Sequence, residues 1–228
     1  MSDRRIIKPE LDLARHTYTL GGRPLAAVTT IIHVGCPRPE LEEYFARTPA
    51  ATIVRDREEA REFGISVHAA LSAHLAGANL IPLPREERWH ATVKAGIAWL
   101  YENVEDVLAI EEPIAEPRRG YAGKPDIYAI LRGARRMRGG PYAGRLVPTI
   151  IDFKTTREVY WSHLCQLAAY REAAYETYDD PKADRLVLRF DKEEPGKIQA
   201  FPCRHHDRDF QKFEHARGNY QIQLGGMQ

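Results

Sequence analysis

Leu146-Val-Pro-Thr-Ile-Ile-Asp-Phe-Lys154 is an apolar, β-branched run that ends in charge, and Gly123-Lys-Pro-Asp126 stands at the head of the preceding β-like run, which continues to Leu131. Side chains alternate along a strand, so Asp152 and Lys154 share one face, about 6 to 7 Å apart along the backbone, while Phe153 points to the other. A hairpin connection lays the strand headed by Asp126 beside the one carrying Asp152 and brings the two carboxylates together. Two convergent carboxylates with a lysine nearby suit a hard cation, because Mg²⁺ binds through one or two carboxylates plus water and phosphate oxygens. The lysine can then orient or deprotonate an attacking water and offset charge developing on phosphorus. A bare Asp-x-Lys arises by chance about once in a chain of this length, and on an isolated strand it reads as a solvent-facing pair. The apolar run behind it changes that reading, since a charge set against buried surface needs a partner or a metal.

Outward from this pair the chain mixes strand and helix signals. Upstream, Tyr18-Thr-Leu-Gly-Gly-Arg-Pro-Leu25 predicts a tight hairpin whose glycines take positive φ, and the β-branched segment Ala27 to Ile32 runs into a Gly-Cys-Pro breaker. Residues 39–103 are predicted mostly helical. One pattern runs from Pro39 to about Gly77, with Phe63, Val67, Ala70, Leu71 and Leu75 at three- and four-residue steps; another runs from about Arg85 to Asn103, with Trp89, Val93, Ile97 and Leu100 on one stripe. The uncharged stretch Gly64 to Pro84 reads as a buried helix, because its histidines, serines and asparagine are costly in a bilayer. A core is expected over 105–202, from β-like runs Val107 to Ile114, Asp126 to Leu131 and Leu146 to Phe153, a helix from about Tyr160 to Tyr178, and a strand pair Arg185 to Phe190 and Lys197 to Phe201. A C-terminal helix covers about 207–222. No linker divides the chain, so 1–228 is expected to form a single α/β (α+β) domain.

The 228 residues carry 33 Lys+Arg against 32 Asp+Glu, a formal charge of +1, with 43% hydrophobic and 29% charged residues. That composition excludes a disordered chain. It also means that a polynucleotide has to be held by a local basic patch rather than by global attraction. Cys36, Cys165 and Cys203 are too few and too scattered for a disulfide scaffold or a Cys-x-x-Cys metal site. The start of the chain has no apolar targeting region. A reducing, cytoplasmic setting without membrane attachment is expected.

Taken in order, Gly64-Ile-Ser-Val-His68, Glu111, Gly123-Lys-Pro-Asp126, Asp152-Phe-Lys-Thr-Thr156 and Gln166-Leu-Ala-Ala-Tyr170 resemble the RecB-like branch of the PD-(D/E)XK nuclease superfamily. The run from Tyr18 to Ile32 also resembles phage-type exonucleases of this branch and the mitochondrial genome maintenance exonuclease, which extends the likeness over most of the chain. The resemblance implies a restriction-endonuclease-like core, a central mixed β-sheet flanked by helices, behind a helical N-terminal half. It further implies metal-dependent hydrolysis of DNA phosphodiester bonds in recombination, repair or processing, and a phage or prophage source acting in the bacterial host cytoplasm.

Carried over by position, the resemblance makes His68, Asp126, Asp152 and Glu111 the ligands of one or two Mg²⁺ or Mn²⁺ ions, with imidazole adding affinity for Mn²⁺. Asp126, Asp152, Glu111 and Lys154 become the catalytic group. Glu112 competes with Glu111, since strand alternation lets only one of them face the metal. His74, about 240° around a helix from His68, reads as structural. Gln166 and Tyr170, at i and i+4, share a helix face, and the resemblance assigns them to substrate phosphates; the hydroxyls of Thr155 and Thr156, at the approach to that helix, can add phosphate contacts. Relatives holding an iron–sulfur cluster use four cysteines around the core, so that cofactor is not expected. Gly120-Tyr-Ala-Gly-Lys-Pro125 is not a Walker A loop, so no nucleotide is expected either. Unwinding then falls to a separate helicase, or the DNA already has free ends or single strands; a single-strand annealing or binding protein is the other implied partner.

The insert Arg132 to Arg145, five arginines and four glycines without an acid, reads either as a solvated loop or as a phosphate-neutralising hairpin beside the acid-bearing strands. On the second reading Arg135, Arg136 and Arg138 contact DNA. Tyr160 and Trp161 read as core aromatics or as a platform for an unpaired base. The function expected from all of this is a metal-dependent DNA exonuclease. An endonuclease on the same core and a non-catalytic DNA-binding protein are the alternatives.

Overall fold

The structure is a computed structural model that describes residues 8–12, 15, 17–37 and 39–225; the first seven residues, on which the targeting expectation rests, lie outside the described residues. A meander of β1 (Glu10–Asp12), β2 (Thr17–Leu20) and β3 (Arg23–Ala27) comes first. Gly21 and Gly22 join β2 to β3 at φ +56° and +78°, the left-handed pair that a two-residue hairpin requires. The β-branched run that follows forms a helix, α1 (Val28–Gly35). Val28, Ile31, Ile32 and Gly35 fall on one face and are all buried, so packing of an i, i+3, i+4, i+7 stripe overrides weak strand propensity.

The helical pattern from Pro39 is two helices, α2 (Pro39–Arg47) and α3 (Ala50–Leu75), parted at Pro49, the N-cap of α3. The helix expected over Gly64 to Pro84 stops at Leu75. Gly77 sits at φ +71°; its N–H donates to His74 O at 3.0 Å and that of Ala78 to Ala73 O at 3.0 Å, the Schellman pattern that ends a helix. The expected burial fails there too, since Leu80 is 85% exposed. A 3-10 turn, Glu87–Trp89, then leads into α4 (His90–Asn103).

The second half supplies β4 (Val104–Ile110), β5 (Ile114–Glu116), β6 (Tyr121–Gly123), β7 (Ile127–Leu131), β8 (Thr149–Lys154), α5 (Trp161–Tyr178), β9 (Asp184–Phe190), β10 (Ile198–Pro202) and α6 (His206–Gly225). The central sheet has the order β10-β9-β8-β7-β4. It is mixed, with β8 and β9 parallel and the other pairs antiparallel. A second sheet, β1-β2-β3-β6-β5, contains the expected hairpin as β2–β3, but its pairing with β6 and β5 was not legible in the sequence. The β-like run Val107 to Ile114 is divided between the two sheets, because Glu111 takes φ +46° and turns the chain.

One face of the central sheet packs under α3 and α4, where Phe63, Val67, Leu71 and Leu100 meet Ile127, Ile151, Phe153 and Phe190. The other face packs against α5, with α1 and α6 behind it; Ile150, Val187, Leu167, Ile31 and Phe213 belong to that core. Each such side chain contributes roughly 1.5–3 kcal/mol on burial. The fold is mixed α/β with a central mixed sheet flanked by helices, as expected. Among the described residues no helix is long and apolar enough to cross a membrane.

Candidate active site

Alternation along β8 places the site. Ile151 and Phe153 go to the α3 side and Ile150 to the α5 side, so Asp152 and Lys154 face α5. Antiparallel pairing of Ile127 with Ile151 brings Asp126, one residue before β7, alongside. Asp126 Oδ2 accepts the Phe153 N–H at 2.6 Å, and its Oδ1 lies 3.0 Å from His68 Nδ1. His68 reaches in from α3, edge-on to the Phe153 ring at 5.5 Å between centroids. Asp152 is 3% exposed and its Oδ1 accepts from Gln166 Nε2 at 3.2 Å. Its Oδ2 lies 2.5 Å from Lys154 Nζ, yet no donor is aligned with it as a hydrogen bond. Oδ2 is thus a buried anionic oxygen with a charge partner but no directional one.

Burial, and then the Asp126 charge, raises the Asp152 pKa above its ordinary value against the pull of Lys154. Burial also works on Asp126, but the charge and hydrogen bond of His68, with Lys154 and the Phe153 N–H, outweigh it and hold that acid low. His68 is the mirror case. Burial disfavours its charged form, and Asp126 more than compensates, so its pKa is raised.

Glu111 and Glu112 are sorted by a bend rather than by strand alternation. Glu111 lies just past β4 in the left-handed region, where it accepts the Ser72 hydroxyl at 2.9 Å and pairs with Lys124. Burial opposes its ionisation, but the Lys124 and Ser72 hydrogen bonds prevail and its pKa is lowered. Glu111 shares an open groove with Gly64 and His68. Glu112 turns the other way, to Lys8 and to the Tyr178 hydroxyl at 2.9 Å.

An imidazole and carboxylates are donors that suit Mg²⁺ or Mn²⁺, and the undirected Oδ2 of Asp152 is an oxygen that a cation would satisfy. Among the described residues, however, no group of three His, Cys, Asp or Glu side chains is gathered as a metal site. The sheet explains this. His68 approaches from the α3 side and Asp152 faces α5, with Asp126 between them. His68 and Lys154 already cover one carboxylate oxygen each.

A cleft of about 660 Å³ opens beside the acids, with Lys154 and Gln166 in its wall and Tyr44, Thr156, Tyr160 and Trp161 around it. Thr156 donates to Glu158 O at 2.8 Å, while the Thr155 hydroxyl lies against Gly64. Tyr170 corrects its expected reach toward substrate. It is 2% exposed, its ring lies over Gly123, and it accepts from Gln166 Nε2 at 3.0 Å, so it positions Gln166.

The arginine insert is a larger correction. It joins the end of β7 to the start of β8, whereas Asp126 precedes β7 and Asp152 lies late in β8. Arg135, Arg136 and Arg138 therefore lie at the end of the strands away from the acids. Arg135 pairs with Asp184 at 2.9 Å, and Arg136 donates to Gly144 O at 2.8 Å.

Sequence reading missed Ser72, Lys124 and Arg189. Arg189 is 7% exposed and donates to the carbonyls of Thr156 at 3.1 Å and Arg157 at 2.6 Å, fixing the loop after β8. The signal that singled out Asp152, a charge inside an apolar strand, is also present in Leu186-Val-Leu-Arg-Phe190. Lys124 sits inside the Gly-Lys-Pro-Asp motif itself.

No family model matches the chain, nor does any curated protein. Among solved structures it is similar to the crystal structure of SSO0001, at 13% identity and a TM-score of 0.43, over 87% of this chain and 75% of that one.

Proposed function

We propose that this protein is a divalent-metal-dependent deoxyribonuclease of the exonuclease type. The observation that carries the reading is that antiparallel pairing of β7 with β8 brings Asp126, just before β7, alongside Asp152, whose partner Lys154 lines a cleft. Asp126, Asp152, His68 and Glu111 are the residues that would hold Mg²⁺ or Mn²⁺. Such an ion supplies Lewis-acid stabilisation of phosphate charge and acidifies water. Lys154 is placed to hold the attacking water or take its proton, and as an ammonium to offset charge on the scissile phosphate. Gln166 fixes the Asp152 carboxylate through Oδ1. Thr156, Tyr160 and Trp161 line the path along which a strand would lie. The substrate on this reading is DNA with free ends or single strands, and the metal is the only cofactor.

The test is digestion of end-labelled linear DNA and of closed circular DNA with Mg²⁺, with Mn²⁺ and with chelator. Metal-dependent loss of the linear substrate alone supports the exonuclease; cleavage of closed circles makes the enzyme an endonuclease. Asp152→Asn is expected to abolish either activity. An unchanged rate in that variant would sink the metal mechanism.

A further inference from the structure

We propose a second, phosphate-binding site at the end of the central sheet opposite the acids, in a cavity of about 430 Å³ lined by Arg171, Arg185, Arg204 and His206. Thr149 and Asp184, the paired first residues of β8 and β9, lie in its wall, roughly 10 Å along β8 from Asp152.

The argument turns on which charges there already have partners. Asp184 is held by Arg135 at 2.9 Å, Asp209 by Arg185 at 3.1 Å and by Arg208 at 3.0 Å, and Glu172 by Lys182 at 2.7 Å and His206 at 2.9 Å. Arg185 also donates to the carbonyls of Leu164 and Cys203. The side chains of Arg171 and Arg204 have no hydrogen bond or ion pair with any described residue. The Nε of Arg171 is buried without a partner, and so is Nδ1 of His206. A buried N–H with nothing to donate to costs about 1–3 kcal/mol; an oxyanion in the cavity would satisfy the Arg171 Nε–H, and His206 Nδ1 too when that nitrogen carries a proton. Burial pulls the Arg171 pKa down, and the nearby charges of Glu172, Asp184 and Asp207 do not offset it.

A tetrahedral dianion suits the site better than a carboxylate, because the donors come from several directions: α5, the segment before α6, and the first turn of α6. Arg136 and Arg138 of the insert are exposed at this same end, so a phosphate that is part of a longer polyanion would find further cations outside the cavity. The common chemistry is a phosphoryl group. It can come from a nucleic-acid chain or from free phosphate.

Binding is measured by calorimetry and phosphorus NMR, with inorganic phosphate, pyrophosphate, and single-stranded oligonucleotides with and without a terminal phosphate, all in chelator so that no cleavage occurs. Saturable phosphate binding is expected, weakened about tenfold or more in Arg204→Ala and in Arg171→Gln. Arg204 is exposed, so its variant folds even where Arg171→Gln does not. If oligonucleotides compete with phosphate and gain from a terminal phosphate, the source is nucleic acid; if only phosphate and pyrophosphate bind, it is the free ion. No saturable binding, or binding unchanged in Arg204→Ala, overturns the site. Metal-dependent digestion by the wild-type protein is scored separately, so failure here and failure of the nuclease reading are distinguishable.

Discussion

Asp152 and Lys154 stand together because a strand permits nothing else, and their partners decide what that closeness does. Gln166 donates to Asp152 Oδ1 and to Tyr170, which leaves Oδ2 turned toward Lys154. Removing the lysine takes away a proton acceptor and a cation but no proposed ligand. Lys154→Ala is therefore expected to keep metal binding by calorimetry while turnover falls about a hundredfold or more; equal loss of both would make Lys154 a structural counterion. Gln166→Ala acts one step removed. It is expected to raise the metal concentration needed for half-maximal rate by roughly 10–100-fold, with a smaller effect at saturating metal. Under these groups lies Gly123, where an added Cβ would come 2.3 Å from the Tyr170 ring. Tyr170 is buried and has no room to retreat, so Gly123→Ala is expected to lower stability by about 1–3 kcal/mol, read from the urea midpoint, and to impair metal-dependent activity through Gln166. These contacts could not be read from the motif letters, since a glycine in Gly-x-x-Asp gives no hint of which ring rests on it.

Element by element, the sequence was most legible where one local rule acts alone. The Gly21-Gly22 hairpin, the helix α4 with its Val93 and Leu100 stripe and the strand pair β9–β10 all follow from turn chemistry or periodicity. It was least legible where a distant element decides. The β-branched residues of α1 are helical because α6 covers them, and that contact leaves a measurable trace: a Cβ on Gly35 would fall 2.0 Å from the Ala216 carbonyl oxygen. Backbone meets backbone there, and neither side has a flexible tip to move. Gly35→Ala is expected to cost more than about 3 kcal/mol or to prevent folding, whereas Gly218→Ala in the same helix α6, with open space around it, is expected to be neutral or to stabilise by up to about 1 kcal/mol. Circular-dichroism melts of the two variants decide it. Comparable melting temperatures would mean that the two helices do not pack this closely. The arginine insert is the converse failure of legibility. Its composition pointed to phosphate, but only the direction of β7 and β8 tells at which end of the sheet it lies.

At the scale of the whole molecule, the sheet carries the proposed catalytic acids at one end and a knot of ion pairs at the other, and the knot makes a prediction about acid stability. Glu172 on α5 is 11% exposed in its side chain and ties in Lys182, before β9, and His206, at the start of α6. The Lys182 contact is a well-formed hydrogen bond at 2.7 Å. His206 Nε2 lies 2.9 Å from Glu172 Oε1. Burial alone would raise the Glu172 pKa, but the two cations reverse this and bring it from 4.5 to about 2. Because the folded value lies below the unfolded one, the stabilisation is complete above about pH 4.5 and drains away as pH falls toward 2. Allowing for the exposure of Lys182, it amounts to the order of 2 kcal/mol. Glu172→Gln is accordingly expected to unfold at lower urea concentration than wild type at pH 6, with the two curves converging between pH 4.5 and 2 as the wild-type carboxylate takes up its proton. A variant whose deficit stays constant down to pH 2 would show that Glu172 contributes by packing rather than by charge.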